Sequence, residues 1–294
     1  MNMSILNATS SSPAVVQTVA DLRAQTAVWR KAGARIALVP TMGALHEGHV
    51  SLIHQARKIA DRVVVSIFVN PTQFAPTEDF AKYPRTFGAD AEKIALAGGD
   101  AIFAPEAIEV YPQGFSTQVR VAGPAKAGLE DTFRPDHFDG VATVVSKLHI
   151  MVAPDFAIYG EKDFQQLAVI RQMNRDLNLP VEVVGAPTIR AEDGLALSSR
   201  NAYLSPAERA VAPALHRALC DCRDRILLGE DAGTAVAEAL AHLRGCGFNP
   251  DYLALRDAET LGAFELASGR PGRLLVAARL GTTRLIDNIA VAAA

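Results

Sequence analysis

Pro40-Thr41-Met42-Gly43-Ala44-Leu45-His46-Glu47-Gly48-His49 follows an apolar run, Ile36 to Val39, and precedes the helical pattern Leu52, Ile53, Ala56, Ile59 and Ala60. The order is strand, glycine-bearing turn, helix. A turn of that kind points backbone N–H groups and the positive end of a helix at whatever sits above it, and phosphate is the usual occupant. His46 and His49, three residues apart on one face of the first helical turn, add side-chain donors aimed the same way. Gly43 and Gly48 let the backbone approach a ligand closely. The stretch reads as one built to hold a nucleotide triphosphate while a phosphorus–oxygen bond breaks.

Working outward, strand and helix alternate from about Arg35 to Val184. Strand patterns fall at 35–39, 63–69, 101–104, 156–159 and 181–184, with helical patterns at 50–60, 89–97, 140–152 and 164–177. The strands are continuous apolar runs, as expected when helices cover both faces of a sheet. Such alternation predicts an α/β domain with a parallel sheet and right-handed crossovers. Ligands in such sheets bind beyond the carboxyl ends of the strands. The polar clusters at Thr41–His49, Asn70–Gln73 and Gly160–Asp163 are therefore expected to converge.

The texture changes after Gly185. Ala186-Pro187 and Asp193-Gly194 punctuate the chain, and Ser205-Pro206 opens a helix with Glu208 in its first turn. Helical patterns near 206–228 and 234–244 follow, then strand-like runs at 252–255, 273–278 and 283–289. The expectation is an N-terminal domain over residues 1–185, with 1–13 as a flexible tail, and a smaller C-terminal α+β domain over 186–294.

The bulk properties narrow the field. The 294 residues are 49% apolar and 21% charged, with a net charge of -3. That is ordinary for a globular chain and gives no basic field for nucleic acid. No run is long enough to span a bilayer, and the N-terminus has neither the basic start nor the apolar core of a secretory signal. Cys220, Cys222 and Cys246 stand in no zinc-like spacing and read as reduced thiols in the cytoplasm.

Other segments carry candidate chemistry. In Ser66–Phe74 an apolar strand ends at Asn70-Pro71, and Gln73 offers a neutral amide suited to hydroxyl or carboxylate recognition; a turn cap is the equal alternative. Glu78–Thr86, taken alone, is a charged surface loop. In the loop Leu129–Gly140, Arg134 can clamp an anion through its planar fork, with His137 ordering the loop. Tyr159–Gln166 is a second strand–turn–helix corner, with Lys162 placed as a phosphate-binding point charge, Asp163 as a helix cap and Gln166 three residues on. In Asp193–Asn201 two hydroxyls and a guanidinium suit a loop that closes over phosphate oxygens.

Six motifs in order, PTMGALHEGH (40–49), FVNPTQF (68–74), ED-x3-YPRT (78–86), RPDHFDGV (134–141), YGEKDFQQL (159–167) and DGLALSSRN (193–201), resemble the pantothenate synthetase (pantoate–β-alanine ligase) family. The likeness runs from about Val39 to Leu204. It implies a Rossmann-like parallel sheet of the HxGH nucleotidyltransferase and class I aminoacyl-tRNA synthetase type, with His46-Glu47-Gly48-His49 as that signature and a smaller C-terminal lid. The implied reaction joins ATP and (R)-pantoate into pantoyl adenylate and pyrophosphate; β-alanine then attacks to give pantothenate and AMP.

By position, the resemblance puts Met42, Gly43, Ala44, Leu45, His46, Glu47, Gly48 and His49 on ATP. It adds Gly160, Glu161, Lys162, Asp163, Ile189, Leu197, Ser198, Ser199 and Arg200. His49 is implied as the proton donor, with His46, Lys162 and Arg200 in the catalytic set. Gln73, Gln166, Asn70 and Arg134 would meet pantoate, and Gln73 then β-alanine. Mg²⁺ is expected with ATP, with Asp90 as a direct or indirect ligand, and the chain is expected to work as a homodimer. Two departures stand out. Leu197 replaces a methionine, a near volume-conserving change. Glu130-Asp131-Thr132-Phe133 lacks the glycine of the usual Leu-Glu-Gly lead-in, which is expected to alter the loop near Arg134.

Three other readings remain open on sequence. They are a cofactor adenylyltransferase that makes no amide, a nucleotide sensor without turnover, and a metal module using His-x-x-His.

Overall fold

The computed structural model describes residues 12–73 and 84–291. Residues 1–11 of the expected tail, Phe74 and the Glu78–Tyr83 part of the charged loop lie outside the described residues. Within the described residues the N-terminal elements are β1 (Ala14–Val16), α1 (Val19–Lys31), β2 (Ile36–Thr41), α2 (Glu47–Ile59), β3 (Arg62–Ile67), α3 (Phe87–Ala97) and β4 (Ala101–Phe103). After α4 (Ala107–Val110) and α5 (Glu130–Phe133) come α6 (His137–Val152), β5 (Phe156–Gly160), α7 (Phe164–Asp176) and β6 (Glu182–Ala186).

These strands form one parallel six-stranded sheet in the order β1-β4-β3-β2-β5-β6. From β2 the chain builds outward through β3 to β4. It then returns to the other side of β2 for β5 and β6. The strand order therefore reverses between β2 and β5, which is the switch point where doubly wound sheets bind their ligands.

The apolar runs divide cleanly between two faces. On β2, Ile36 and Leu38 pack with α1, α6 and α7, while Ala37 and Val39 pack with α2 and α3. Val64 on β3 joins the first layer, and Val63 and Val65 the second. A strand buried on both faces shows no polar alternation, which is why its sequence is an unbroken apolar run.

The C-terminal elements are α8 (Pro206–Val211), α9 (Ala214–Leu227), α10 (Ala232–Gly245), β7 (Phe248–Asp257), β8 (Gly272–Leu280) and β9 (Thr283–Val291). The strands make an antiparallel sheet, β7-β8-β9, with α9 and α10 packed on one face through Leu215, Leu219, Leu274 and Val276. Its other face meets the first unit, where Leu275 packs with Leu129, Phe164 and Ala168.

Three boundaries differ from the sequence reading. β1 and α1 lie in a stretch left unassigned there, although Thr18 caps α1 by accepting the Asp21 N–H at 3.1 Å. The single helix expected over 206–228 is two, because Pro213 has no N–H to continue the ladder and its ring crowds the preceding turn. β7 starts at Phe248 and not at Tyr252: it is an edge strand and absorbs Pro250 in a register shift before Tyr252.

Candidate active site

The turn after β2 is held from below by one carboxylate. Asp90, on α3 and 1% exposed, accepts the N–H of Ala44 at 2.9 Å and of Leu45 at 2.7 Å, and the Thr86 hydroxyl at 3.1 Å. Gly43 N–H donates to Thr41 Oγ1 at 3.2 Å. The backbone donors expected to point at phosphate thus turn inward at Gly43, Ala44 and Leu45. Asp90, expected at or near a magnesium ion, braces the turn, where Ala44 has a φ of 52°.

What faces outward is the histidine pair. His46 is the N-cap of α2, and its Nδ1 accepts the Gly48 N–H at 3.1 Å. His49 Nδ1 accepts the His46 N–H at 3.3 Å, which completes a reciprocal cap. The rings lie 4.2 Å apart between centroids. Because each Nδ1 is an acceptor, each neutral ring carries its proton on Nε2. Burial, helped by the nearby Lys162 and Lys93 ammonium groups, lowers the His46 pKa to about 4. Burial, His46 and Lys162 lower that of His49 to about 3. At neutral pH both rings are uncharged and can donate only through Nε2–H.

The other polar clusters reach the same place. A cavity of about 230 Å³ is lined by Thr41, His46 and His49 from the β2 turn, Asn70 and Gln73 from the β3 turn, and Gly160, Lys162 and Gln166 from the β5 corner. Leu52, Phe68, Val141, Val144 and Val145 form its apolar wall. Met42, Ile189, Leu197, Ser198, Ser199 and Arg200 close the remaining side. A second cavity of about 740 Å³, between the two sheets, shares Lys162, Asp163, Gln166, Ser198 and Arg200 with the first. Ser198 caps the short 3₁₀ turn Ser199–Tyr203 through its hydroxyl.

Two residues expected at an acid substrate, Asn70 and Arg134, line the cavities and also hold neighbouring backbone. Asn70, 1% exposed, accepts the hydroxyls of Tyr111 at 2.8 Å and Thr72 at 3.0 Å, and its amide donates to the Gly140 carbonyl. It locks the 70–73 turn onto α6, where Gly140 is required: a Cβ there would stand 2.3 Å from the Thr72 carbonyl oxygen. Arg134 donates from Nη2 to the Gln73 carbonyl at 3.0 Å, and His137 Nδ1 donates to the same oxygen at 3.1 Å. Both residues therefore place Gln73.

The Glu130–Phe133 departure is the short helix α5. Asp131 accepts the N–H of Gly128 at 3.1 Å and of Leu129 at 3.0 Å, so its carboxylate braces the lead-in to α5 where a glycine was expected. Glu130 pairs with Arg284 at 2.7 Å and accepts the Tyr252 hydroxyl at 2.9 Å, which ties the loop to the C-terminal sheet. The sequence reading missed this contact, as it missed Arg273 and Asn288, which hold the Lys162 corner from β8 and β9, and Asp287 of β9, which holds Arg190.

Among the described residues no three His, Cys, Asp or Glu side chains are grouped as a metal cage. No described helix is long and apolar enough to cross a membrane.

The family model for pantoate-beta-alanine ligase matches residues 14–290. The chain belongs to the pantoate–β-alanine ligase family. Pantothenate synthetase 2 from Bradyrhizobium diazoefficiens is 57% identical over 282 residues, covering 96% of this chain and all of that one. A pantothenate synthetase from Rhodopseudomonas palustris is 54% identical over the same share of this chain. The crystal structure of pantothenate synthetase from Thermus thermophilus superposes with a TM-score of 0.88 at 47% identity, covering 95% of this chain and 99% of that one. The ligase from Francisella tularensis, solved with β,γ-ATP and β-alanine, gives 0.79 at 31% identity and covers 94% and 97%. In this ligase family member, then, described residues of five of the motifs line two cavities that share residues at the sheet's switch point, and the motif at 78–86 falls largely outside the described residues.

Proposed function

We propose that the chain joins (R)-pantoate to β-alanine at the expense of ATP, through an acyl adenylate formed at the β2–β5 switch point. The observation that carries this is the meeting of two neutral Nε2–H imidazoles and Lys162 beside an apolar-walled cavity that also holds Gln73 and Gln166. Membership of the family supplies the substrates.

The chemistry fits these groups. A pantoate carboxylate oxygen attacks the α-phosphorus; its new P–O bond forms as the bond to the β-phosphate oxygen breaks, and pyrophosphate leaves. Charge grows on the leaving group, where His46 and His49 donate from Nε2 and Lys162 and Arg200 supply positive charge. Donation from a neutral imidazole Nε2–H needs no proton transfer, and proton donation from His49 would be favoured by the phosphate charge beside it. The amine of β-alanine then forms the C–N bond, the acyl C–O bond breaks, AMP leaves and the amine loses a proton.

The wall of Leu52, Phe68, Val141, Val144 and Val145 suits the geminal methyl groups of pantoate, with the Gln73 and Gln166 amides at its polar end. The larger cavity leads to the same cationic groups and suits the entry of β-alanine. Magnesium would arrive held by the phosphates of its nucleotide and by water, since the described residues offer no cage for it. The family reading also carries the expectations of a homodimer, of work in the cytoplasm, where three free thiols are at home, and of a C-terminal unit, 186–294, that closes over the nucleotide.

The test is product formation from ATP and Mg²⁺ with pantoate and β-alanine omitted in turn. Pantothenate and AMP in equal amounts, only with both acids present, is expected. AMP released with neither acid would contradict the assignment, and ATP bound without turnover would make the chain a sensor.

A further inference from the structure

The Lys162 corner is held from the opposite sheet. Asn288 of β9, 2% exposed, donates from Nδ2 to the carbonyls of Glu161 at 2.9 Å and Lys162 at 2.8 Å. Its Oδ1 accepts from Nε of Arg273 at 2.7 Å, which fixes which end of the amide faces the corner. Arg273 in turn pairs with the Glu161 carboxylate at 3.1 Å and lies 4.1 Å from the ring centre of Phe164. Two successive carbonyls, one carboxylate and the first ring of α7 are thus fixed from β8 and β9.

The preceding residue serves the other cationic segment. Asp287, 3% exposed, accepts from both terminal nitrogens of Arg190, at 2.6 and 2.8 Å, with His216 Nδ1 at 3.5 Å. Arg190 also donates to the carbonyls of Gly194 at 3.1 Å and Asn288 at 3.3 Å. Residues 190 and 196 form an antiparallel bridge, and Leu197 N–H donates to the Ile189 carbonyl at 2.9 Å. Fixing Arg190 therefore fixes the base of the loop that carries Ser198, Ser199 and Arg200 into the cavities.

We propose that Asp287-Asn288 is a positioning dipeptide for adenylate formation: Asn288 sets Lys162, and Asp287 sets the Ser198–Arg200 loop through Arg190. This rests on the reading of Lys162 and Arg200 as charges that face the phosphates. The two segments lie on different elements; adjacent residues of one strand give them a common reference. A buried polar network that is fully satisfied specifies geometry. A displacement of about 1 Å in a charge-positioning group lowers a rate on the order of 100-fold.

The experiment is a double-mutant cycle on the full chain, with Asn288→Asp, Lys162→Ala and the pair. Asn288→Asp keeps the shape and the acceptor for Arg273 but turns an oxygen toward two carbonyls. Two rates are read: pantoate-dependent exchange of pyrophosphate into ATP, and amide formation from supplied pantoyl adenylate and β-alanine. Asn288→Asp is expected to lower kcat for exchange by about 30- to 100-fold, to move KM for ATP less, and to spare amide formation. On the Lys162→Ala background it adds no further loss. Asp287→Asn crossed with Arg200→Ala is read by the same criterion.

Full multiplicative loss in the double variant, equal loss in both half-reactions, or an unchanged exchange rate in Asn288→Asp overturns the proposal. If Lys162→Ala itself leaves exchange untouched, the phosphate reading fails and the positioning role falls with it. Should Asn288→Asp not fold, Asn288→Ala, which adds no buried carboxylate, carries the same cycle.

Discussion

A Cβ on Gly48 would stand 2.8 Å from Cε1 of His46 and 2.9 Å from its Nδ1. The glycine is there so that the imidazole can lie flat over the first turn of α2 and accept the Gly48 N–H. Any side chain pushes the ring off its cap and changes how its Nε2–H faces the cavity. Gly48→Ala is expected to lower adenylation kcat on the order of 100-fold with little change in melting temperature. Thermal melting with pyrophosphate exchange checks it; an unaffected rate would show that the His46 orientation is unimportant.

Three histidines, the half-buried His46 and His49 and the buried His149, tie stability to pH. Burial lowers His46 to about 4, and burial with the His46 ring lowers His49 to about 3. Burial also lowers His149 to about 4, where its ring sits 2.9 Å from both Asn174 Oδ1 and the Tyr159 hydroxyl. Unfolded, all three titrate near 6.5, so between 6.5 and these values the unfolded chain binds more protons. Their contribution is full above about pH 6.5 and is lost as pH falls toward about 4. Denaturant midpoints measured from about pH 7 to about pH 4 should decline steadily, and His149→Gln, which removes one titrating group, should make that decline shallower. An identical slope in the variant would contradict the assignment of His149.

Asp90 separates a brace from a metal ligand. Asp90→Ala leaves two backbone N–H groups and a hydroxyl near Ala44 without an acceptor, which costs about 2–4 kcal/mol. The expected result is a loss of stability without nucleotide and a loss of exchange activity that raised Mg²⁺ does not restore. Recovery of activity at high Mg²⁺ with unchanged stability would return Asp90 to the metal.

Glu130 and Arg284 form the other link between the sheets, with Asp251 on the far side of the guanidinium at 2.6 Å. Glu130→Leu leaves Arg284 its pair with Asp251 but removes the acceptor of the Tyr252 hydroxyl, so its cost should fall below the about 3–5 kcal/mol of an unpaired buried charge. Adding Arg284→Met strips the largely buried Asp251 of its partner and should deepen the loss. Equilibrium unfolding of the two variants checks this; a double variant as stable as the single one would contradict it.

Local pattern revealed β2, the turn, α2 and the convergence of three strand ends, because each depends on residues close in sequence. It also brought His46, His49, Lys162, Gln73 and Gln166 to one place. The direction of the turn's N–H groups was illegible, since Asp90 lies 46 residues beyond Ala44. Asn288 is 126 residues from Lys162, and nothing in its own segment distinguishes it from a core strand. Arg134 and Asn70 had the right chemistry for a substrate acid, but only their neighbours show that they hold Gln73 and Gly140. The Asp131 that replaces a glycine accepts two N–H groups only two and three residues back, a local contact that the sequence reading did not anticipate.

The central claim is that carboxylate and ATP react at the β2–β5 switch point before the amine takes part. Exchange of labelled pyrophosphate into ATP, measured with Mg²⁺ and no β-alanine, tests it most directly. Label should enter ATP when pantoate is present and not when it is withheld. Exchange that waits for β-alanine, or proceeds without pantoate, would contradict an acyl adenylate formed in this site.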